Sequence, residues 1–198
     1  MRAVALFACS LAVALAPASL AVCQSRDTVS ADAAIAAPSP AALQRDLAGR
    51  WAGALGYRDY QTDELFEIPV STTVVQVPDG VTQVRTALFD DGPAKPVWIT
   101  TTSLQDEAAG TVSSTSSRAG RPVEVSIEAV RVTDWRDNTH WTLVYDSVAE
   151  DDDQPAEIRV TETRDGDSLL SVKTVRPVGA DDTAWRFRNQ TRLTRIGD

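Results

Sequence analysis

Residues 123–133 read Val-Glu-Val-Ser-Ile-Glu-Ala-Val-Arg-Val-Thr. Val123, Val125, Ile127 and Ala129 leave one side of the chain, and Glu124, Ser126 and Glu128 leave the other. A two-residue repeat is what a β-strand produces, because successive side chains point to opposite faces. Apolar on one face and polar on the other is the pattern of a sheet wet on one side.

The same reading extends in both directions. Asp137-Asn138 supplies a turn, and His140 to Val148 reads as the next strand. An acidic loop, Glu150-Asp151-Asp152-Asp153, separates it from Ala156 to Thr161. Asp165-Gly166 marks a tight hairpin, because glycine accepts the positive φ such turns need. Leu169 to Arg176 and Thr183 to Ile196 complete the C-terminal part. Upstream, Arg50 to Tyr60, Phe66 to Val77, Val81 to Phe89, Val97 to Leu104 and Thr111 to Ser117 are strand-like. Pro78-Asp79-Gly80 and Asp90-Asp91-Gly92-Pro93 punctuate them. Before the first strand, Ser39-Pro40 opens a short helix reaching to about Ala48, and Gly49 ends it.

Regularly spaced short strands joined by hairpins predict an all-β domain, a single antiparallel up-and-down barrel of about 8–10 strands. Closure also removes exposed edges. A β-sandwich is the alternative.

Residues 1–23 contain no acid and one base, Arg2. An apolar run from Ala3 to Ala16 follows, then the small-residue groups Ala16-Pro17-Ala18 and Ser19-Leu20-Ala21. That is the pattern of a secretory signal peptide, and the run is shorter than the roughly 20 strongly apolar residues needed to span a bilayer. The organisation expected is a signal peptide over 1–22, a disordered linker over 23–38 rich in Ala, Ser, Asp and Thr, and a barrel domain over 39–198. The protein is thus expected to be exported. Cys9 falls in the leader, so Cys23 is the one thiol left and no internal disulfide can form.

Leu20-Ala21-Val22-Cys23 resembles the lipobox of bacterial lipoproteins, departing from it at Val22. That resemblance implies a lipid on Cys23 and, with Gln24 following, tethering to the outer membrane of a Gram-negative cell. The other reading is cleavage after Ala18 or Ala21 and a free periplasmic protein. Contact with a membrane is expected only through lipid on Cys23. A net charge of -9 argues against nucleic acid and against adhesion to anionic lipid.

Gly49-Arg50-Trp51-Ala52-Gly53 resembles the G-x-W opening of lipocalins and related calycin barrels. In that group a short helix precedes the motif, the Trp closes one barrel end, and an Arg from the last strand packs across the indole. The resemblance implies a closure made by Gly49, Trp51 and Arg192, with Arg195 as the other candidate. The chain is also similar to bacterial envelope proteins of no established activity that open with Trp51-x-Gly53-x-Leu55-x-Tyr57-x-Asp59-Tyr60 and close near Phe187-Arg188-Asn189.

Catalytic motifs are missing from the sequence. One histidine, His140, is present; there is no H-E-x-x-H, no C-x-x-C, no G-x-S-x-G and no glycine-rich phosphate loop. Haem-binding relatives of small G-x-W-x-G barrels use a histidine near the C-terminus, and this chain has none there. No enzyme activity, metal or cofactor is expected. The acidic groups Glu150 to Asp153 and Asp165-Gly166-Asp167 match no calcium-loop spacing and read as turns.

Two function classes remain. One is a binding module holding a small, partly apolar ligand, with Trp51, Tyr57, Asp59, Tyr60, Trp98 and Trp141 as candidate contacts. The other is a structural or interaction protein of the envelope with a filled interior. Thr100-Thr101-Thr102-Ser103 and Ser113-Ser114-Thr115-Ser116 bear on the choice. Two strands with so little apolar content suit either a poorly buried flank or a wet cavity.

Overall fold

The alternation of residues 123–133 continues around a closed wall of ten antiparallel strands. The structure is a computed structural model. It describes residues 37–58, 62, 64–93 and 95–197. The leader, Cys23, most of the linker, Asp59 and Tyr60 lie outside the described residues.

Among the described residues one α-helix, α1 (Pro40–Arg45), precedes β1 (Gly49–Arg58), β2 (Leu65–Gln76), β3 (Thr82–Asp90), β4 (Pro96–Asp106) and β5 (Thr111–Arg118). Then come β6 (Glu124–Asp137), β7 (His140–Asp151), β8 (Gln154–Asp165), β9 (Ser168–Pro177) and β10 (Arg186–Gly197). Each strand pairs with its neighbours in sequence, and β1 pairs with both β2 and β10. The meander therefore closes as a barrel rather than a sandwich. Residues 182–184, expected to begin the last strand, form a single 3-10 turn instead. Asp181 caps that turn by accepting from the Thr183 backbone N–H at 3.0 Å.

Turn chemistry explains several hairpins. Asp79 accepts from the backbone N–H groups of Val81 and Thr82 at 3.0 and 2.9 Å. Asp152 and Asp153 take φ values of 52° and 57°. Two consecutive positive values are what a tight primed hairpin turn demands, and Asp tolerates them. This places the acidic loop in backbone geometry.

The helix plugs one end. Ser39 caps it, accepting from the Ala42 N–H at 3.3 Å, with Pro40 in the first turn. Its carbonyls then find partners on the barrel wall. The Gln44 carbonyl accepts from Gln76 at 2.8 Å, that of Asp46 from Arg164 at 3.0 Å, and that of Leu47 from the Trp51 indole N–H at 2.9 Å. Helix ends need such partners, because their last carbonyls have none within the helix. Leu43 and Leu47 are wholly buried and lie in one cluster with Trp51, Trp141, Leu143 and Leu193. Each leucine contributes roughly 2 kcal/mol by leaving water.

The register fixes two rims. The rim beside α1 carries the β2–β3, β4–β5, β6–β7 and β8–β9 turns, and the far rim carries the others. The register also fixes which side of each strand faces in. On β6 the outcome inverts the usual sense of a half-wet sheet. Val125 and Ile127 are about 70 % exposed on the outside (72 % and 67 %), while Glu128 lines the interior. The polar side of this strand faces the inside of the barrel.

Candidate functional site

Above the apolar layer, the interior is polar. Its floor is Gln44 of α1, which donates to the Tyr145 hydroxyl at 2.5 Å and accepts from Gln105 at 2.5 Å. Gln83 and Gln105 are buried there beside it. Burying amides is tolerable only when they are paired, and this network pairs them.

The walls above the floor enclose a cavity of about 290 Å³. Inward positions of the two Thr/Ser strands supply much of them. Thr101 of β4 meets Ser116 of β5 at 2.8 Å, and Ser103 meets Ser114 at 2.9 Å. Ser126 of β6 and Ser171 of β9 add two more hydroxyls, and Val112 and Val160 are the aliphatic exceptions. The floor glutamines Gln83 and Gln105 are 6 % and 7 % exposed, whereas Ser126 is exposed. The cavity is thus sealed beside the helix and opens toward the far rim.

Three charged side chains face it: Arg85, Glu128 and Glu162. Arg85 and Glu162 are paired at 3.3 Å, and Gln44 also reaches Glu162 at 3.5 Å. Burial holds the Glu128 carboxyl above the usual carboxylate range, with the Lys173 ammonium pulling weakly the other way. Burial, with Glu162 nearby, raises the Tyr145 hydroxyl well above its ordinary value, so it stays protonated. A smaller recess of about 110 Å³ shares Arg85 and Ser171 with the main cavity and is lined by Val70, Ala87, Phe89 and Leu169.

The structure places the residues expected from sequence differently. Trp51 and Trp141 are 0 % and 1 % exposed in the layer beneath the cavity floor and present no surface to a ligand. Trp51 donates to Leu47 and Trp141 to the Asn138 carbonyl at 3.1 Å, so both serve closure. Trp98 stands on the outer wall, 57 % exposed. Tyr57 lies at the far rim with its ring 5.2 Å from that of Phe66. Asp59 and Tyr60 lie outside the described residues.

Closure by Arg192 is corrected. Arg192 points outward and pairs with Glu67 at 2.9 Å. Arg195 packs on Trp51, its guanidinium 5.0 Å from the ring centre, and Arg164 approaches to 6.0 Å. The reason is parity. Leu193 faces the core, so Arg195 shares its side and Arg192 cannot.

His140 is held between two hairpins, its Nδ1 2.8 Å from Asp137 and its Nε2 3.2 Å from Asp165. The His140 contact to Asp137, with two hydrogen bonds from Thr139, keeps the Asp137 carboxyl well below the usual range. Among the described residues, no group of three or more His, Cys, Asp or Glu is placed to hold a metal.

Gln44, Arg85, Tyr145 and Glu162 were not singled out in the sequence. A signal for Glu128 and Ser126 did exist: they share one face of β6, and across β5 that face meets Ser114 and Ser116.

These features define a closed ten-stranded antiparallel barrel with one plugged end and a polar interior. The crystal structure of Rv2717c from M. tuberculosis has this fold, with a TM-score of 0.52 and 20 % identity over 80 % of this chain and 98 % of that one. No protein-family model and no curated protein matches the chain.

Proposed function

We propose that the domain is a non-enzymatic binding module that takes a small, mainly polar ligand into the barrel from the far rim. The hydroxyl-lined cavity carries this reading. A protein interior built for stability alone is packed to crystal-like density, and polar walls around empty volume work against that. Here Thr101 and Ser103 of β4 and Ser114 and Ser116 of β5 present hydroxyls to about 290 Å³ of space. Such a volume sits at the small end for ligand pockets. The recess beside Phe89 gives room for a small apolar group, so the ligand is polar with one apolar corner. The Trp side chains do not take part.

The barrel is read as calycin-like. The G-x-W opening, the helix ahead of it and Arg195 on the indole support that reading. Export and a tether at Cys23 rest on the sequence of the leader alone.

Native mass spectrometry of the protein purified from its own host tests the binding reading. A retained small molecule, lost from a Ser103→Val/Ser114→Val variant, is the expected result. A bare mass for the parent counts against it. A second reading, an interaction surface on the outer wall, is favoured by the exposed Val123, Val125 and Ile127. Self-association in sedimentation that Ile127→Asp abolishes would support it.

A further inference from the structure

We infer that the ligand proposed above carries a cationic nitrogen, and that Glu128 is the group that pairs with it. The inference rests on the cavity being a binding site and deepens that reading. It follows from an account of the charges facing the cavity.

Two carboxylates and one guanidinium line the wall. Glu162 is answered by Arg85 at 3.3 Å and by Gln44. That pair is neutral as a unit, and Arg85 is committed to it. Glu128 has no hydrogen bond or ion pair of its own among the described residues. Lys173 is the cation that acts on it, yet the Lys173 ammonium lies 3.7 Å from Asp151. Asp151 in turn takes Arg188 at 3.2 Å. The charge left unanswered on the cavity wall is therefore negative and sits on one residue.

A partly buried carboxylate without a partner is unfavourable until a cation reaches it. Its neighbours set the rest of the chemistry. Ser126 lies two residues along the same strand, and Ser114 and Ser116 of β5 pair with Ser126 and Glu124. All three serines line the same cavity, where each hydroxyl can donate or accept. An ammonium group flanked by hydroxyls, as in an amino sugar or amino alcohol, answers both features. An anionic ligand would face Glu128 across the same space, where Arg85, the cation that lines the cavity among the described residues, is already paired with Glu162.

Titration of the purified protein with glucosamine, glucose and gluconate, followed by NMR shifts of cavity residues, tests this. Glucosamine should bind about tenfold or more tightly than glucose, as a charge-assisted hydrogen bond implies, and gluconate should bind least. Glu128→Gln should bring glucosamine down to the level of glucose and leave glucose unchanged. Asp134→Asn, an exposed carboxylate on the same strand, should change neither. Equal binding of glucosamine and glucose, a preference for gluconate, or a preference that survives Glu128→Gln would overturn the inference and leave the binding module standing. Absence of binding by all three at millimolar concentration would overturn both.

Discussion

Arg192 and Arg195 lie three residues apart on β10 and end on opposite sides of the wall. One meets Glu67 in solvent; the other covers the indole of Trp51. A sheltered cation–π contact is worth about 1–2 kcal/mol and an exposed ion pair less than about 1. Arg195→Ala should therefore lower unfolding stability in urea by about 1–2 kcal/mol, and Arg192→Ala by less than about 0.5. Glu128 gives a pH signature. A carboxyl whose folded pKa is raised binds its proton more tightly in the folded protein. Stability is then greatest below the unfolded value, near about 4.3, and declines as pH rises through the folded value. The groups facing it are Tyr145 on β7, Glu162 on β8, Lys173 on β9 and Arg85 on β3, while β5 offers Val112, Ser114 and Ser116, none of which titrates in this range. Glu128→Gln removes the decline. Thermal melts should find that variant more stable than the parent at neutral pH and equal to it below about pH 4. The parity that separates Arg195 from Arg192 was legible in the sequence, since Leu193 marks the inward side. The pairing that leaves Glu128 alone was not, because it depends on which distant strands bring cations to the same height.

The helix and β6 show what alternation can and cannot say. Leu43 and Leu47, four residues apart, were legible as sharing a face of a helix reaching to about Ala48. The helix ends at Arg45, Leu47 falls in the turn after it, and both are buried in the plugged end. Leu47→Ala should cost about 2–5 kcal/mol, as large-to-small changes in sealed cores do. On β6 the period of two was legible, and its sense was not. Hydrophobicity says which residues share a face; it gives the inside only when the inside is apolar. Here Glu128 and Ser126 turn inward because the facing strands are also polar. Ile127→Thr should accordingly shift stability by no more than about 0.5 kcal/mol, whereas Val130→Ala, on the inward face of the same strand, should cost more than about 1. Chemical denaturation of the pair measures the contrast. The outer face of the neighbouring wall is not uniformly apolar. Asp146 bridges Arg131 and Arg159, and Glu157 pairs with Arg176 at 2.6 Å.

Closure joins the first strand of the chain to the last. Strands β1 and β10 meet over eight partnered positions, with Gly53 opposite Leu193 in the middle of the seam. A Cβ added there would lie 1.9 Å from the Arg192 carbonyl oxygen, which is backbone and cannot swing aside. Gly53→Ala should therefore open or distort this seam, seen as early hydrogen exchange at β1 and β10 and a melting temperature lowered by several degrees. Bringing such distant segments together is slow, so refolding is expected in the millisecond-to-second range or beyond. The overall meander was legible because turn signals such as Pro78-Asp79-Gly80 and Asp165-Gly166 separate the strands, and the helix, though not its seating as a plug, was legible from Ser39-Pro40. The same antiparallel seam sets Arg50 opposite Gly197, so both ends of the domain emerge beside the helix. A fusion partner or support surface joined directly to the domain at residue 37 or residue 197 would hang from the stoppered side. The domain can be held by either of these two points, leaving the opposite rim turned toward solutes in the surrounding buffer.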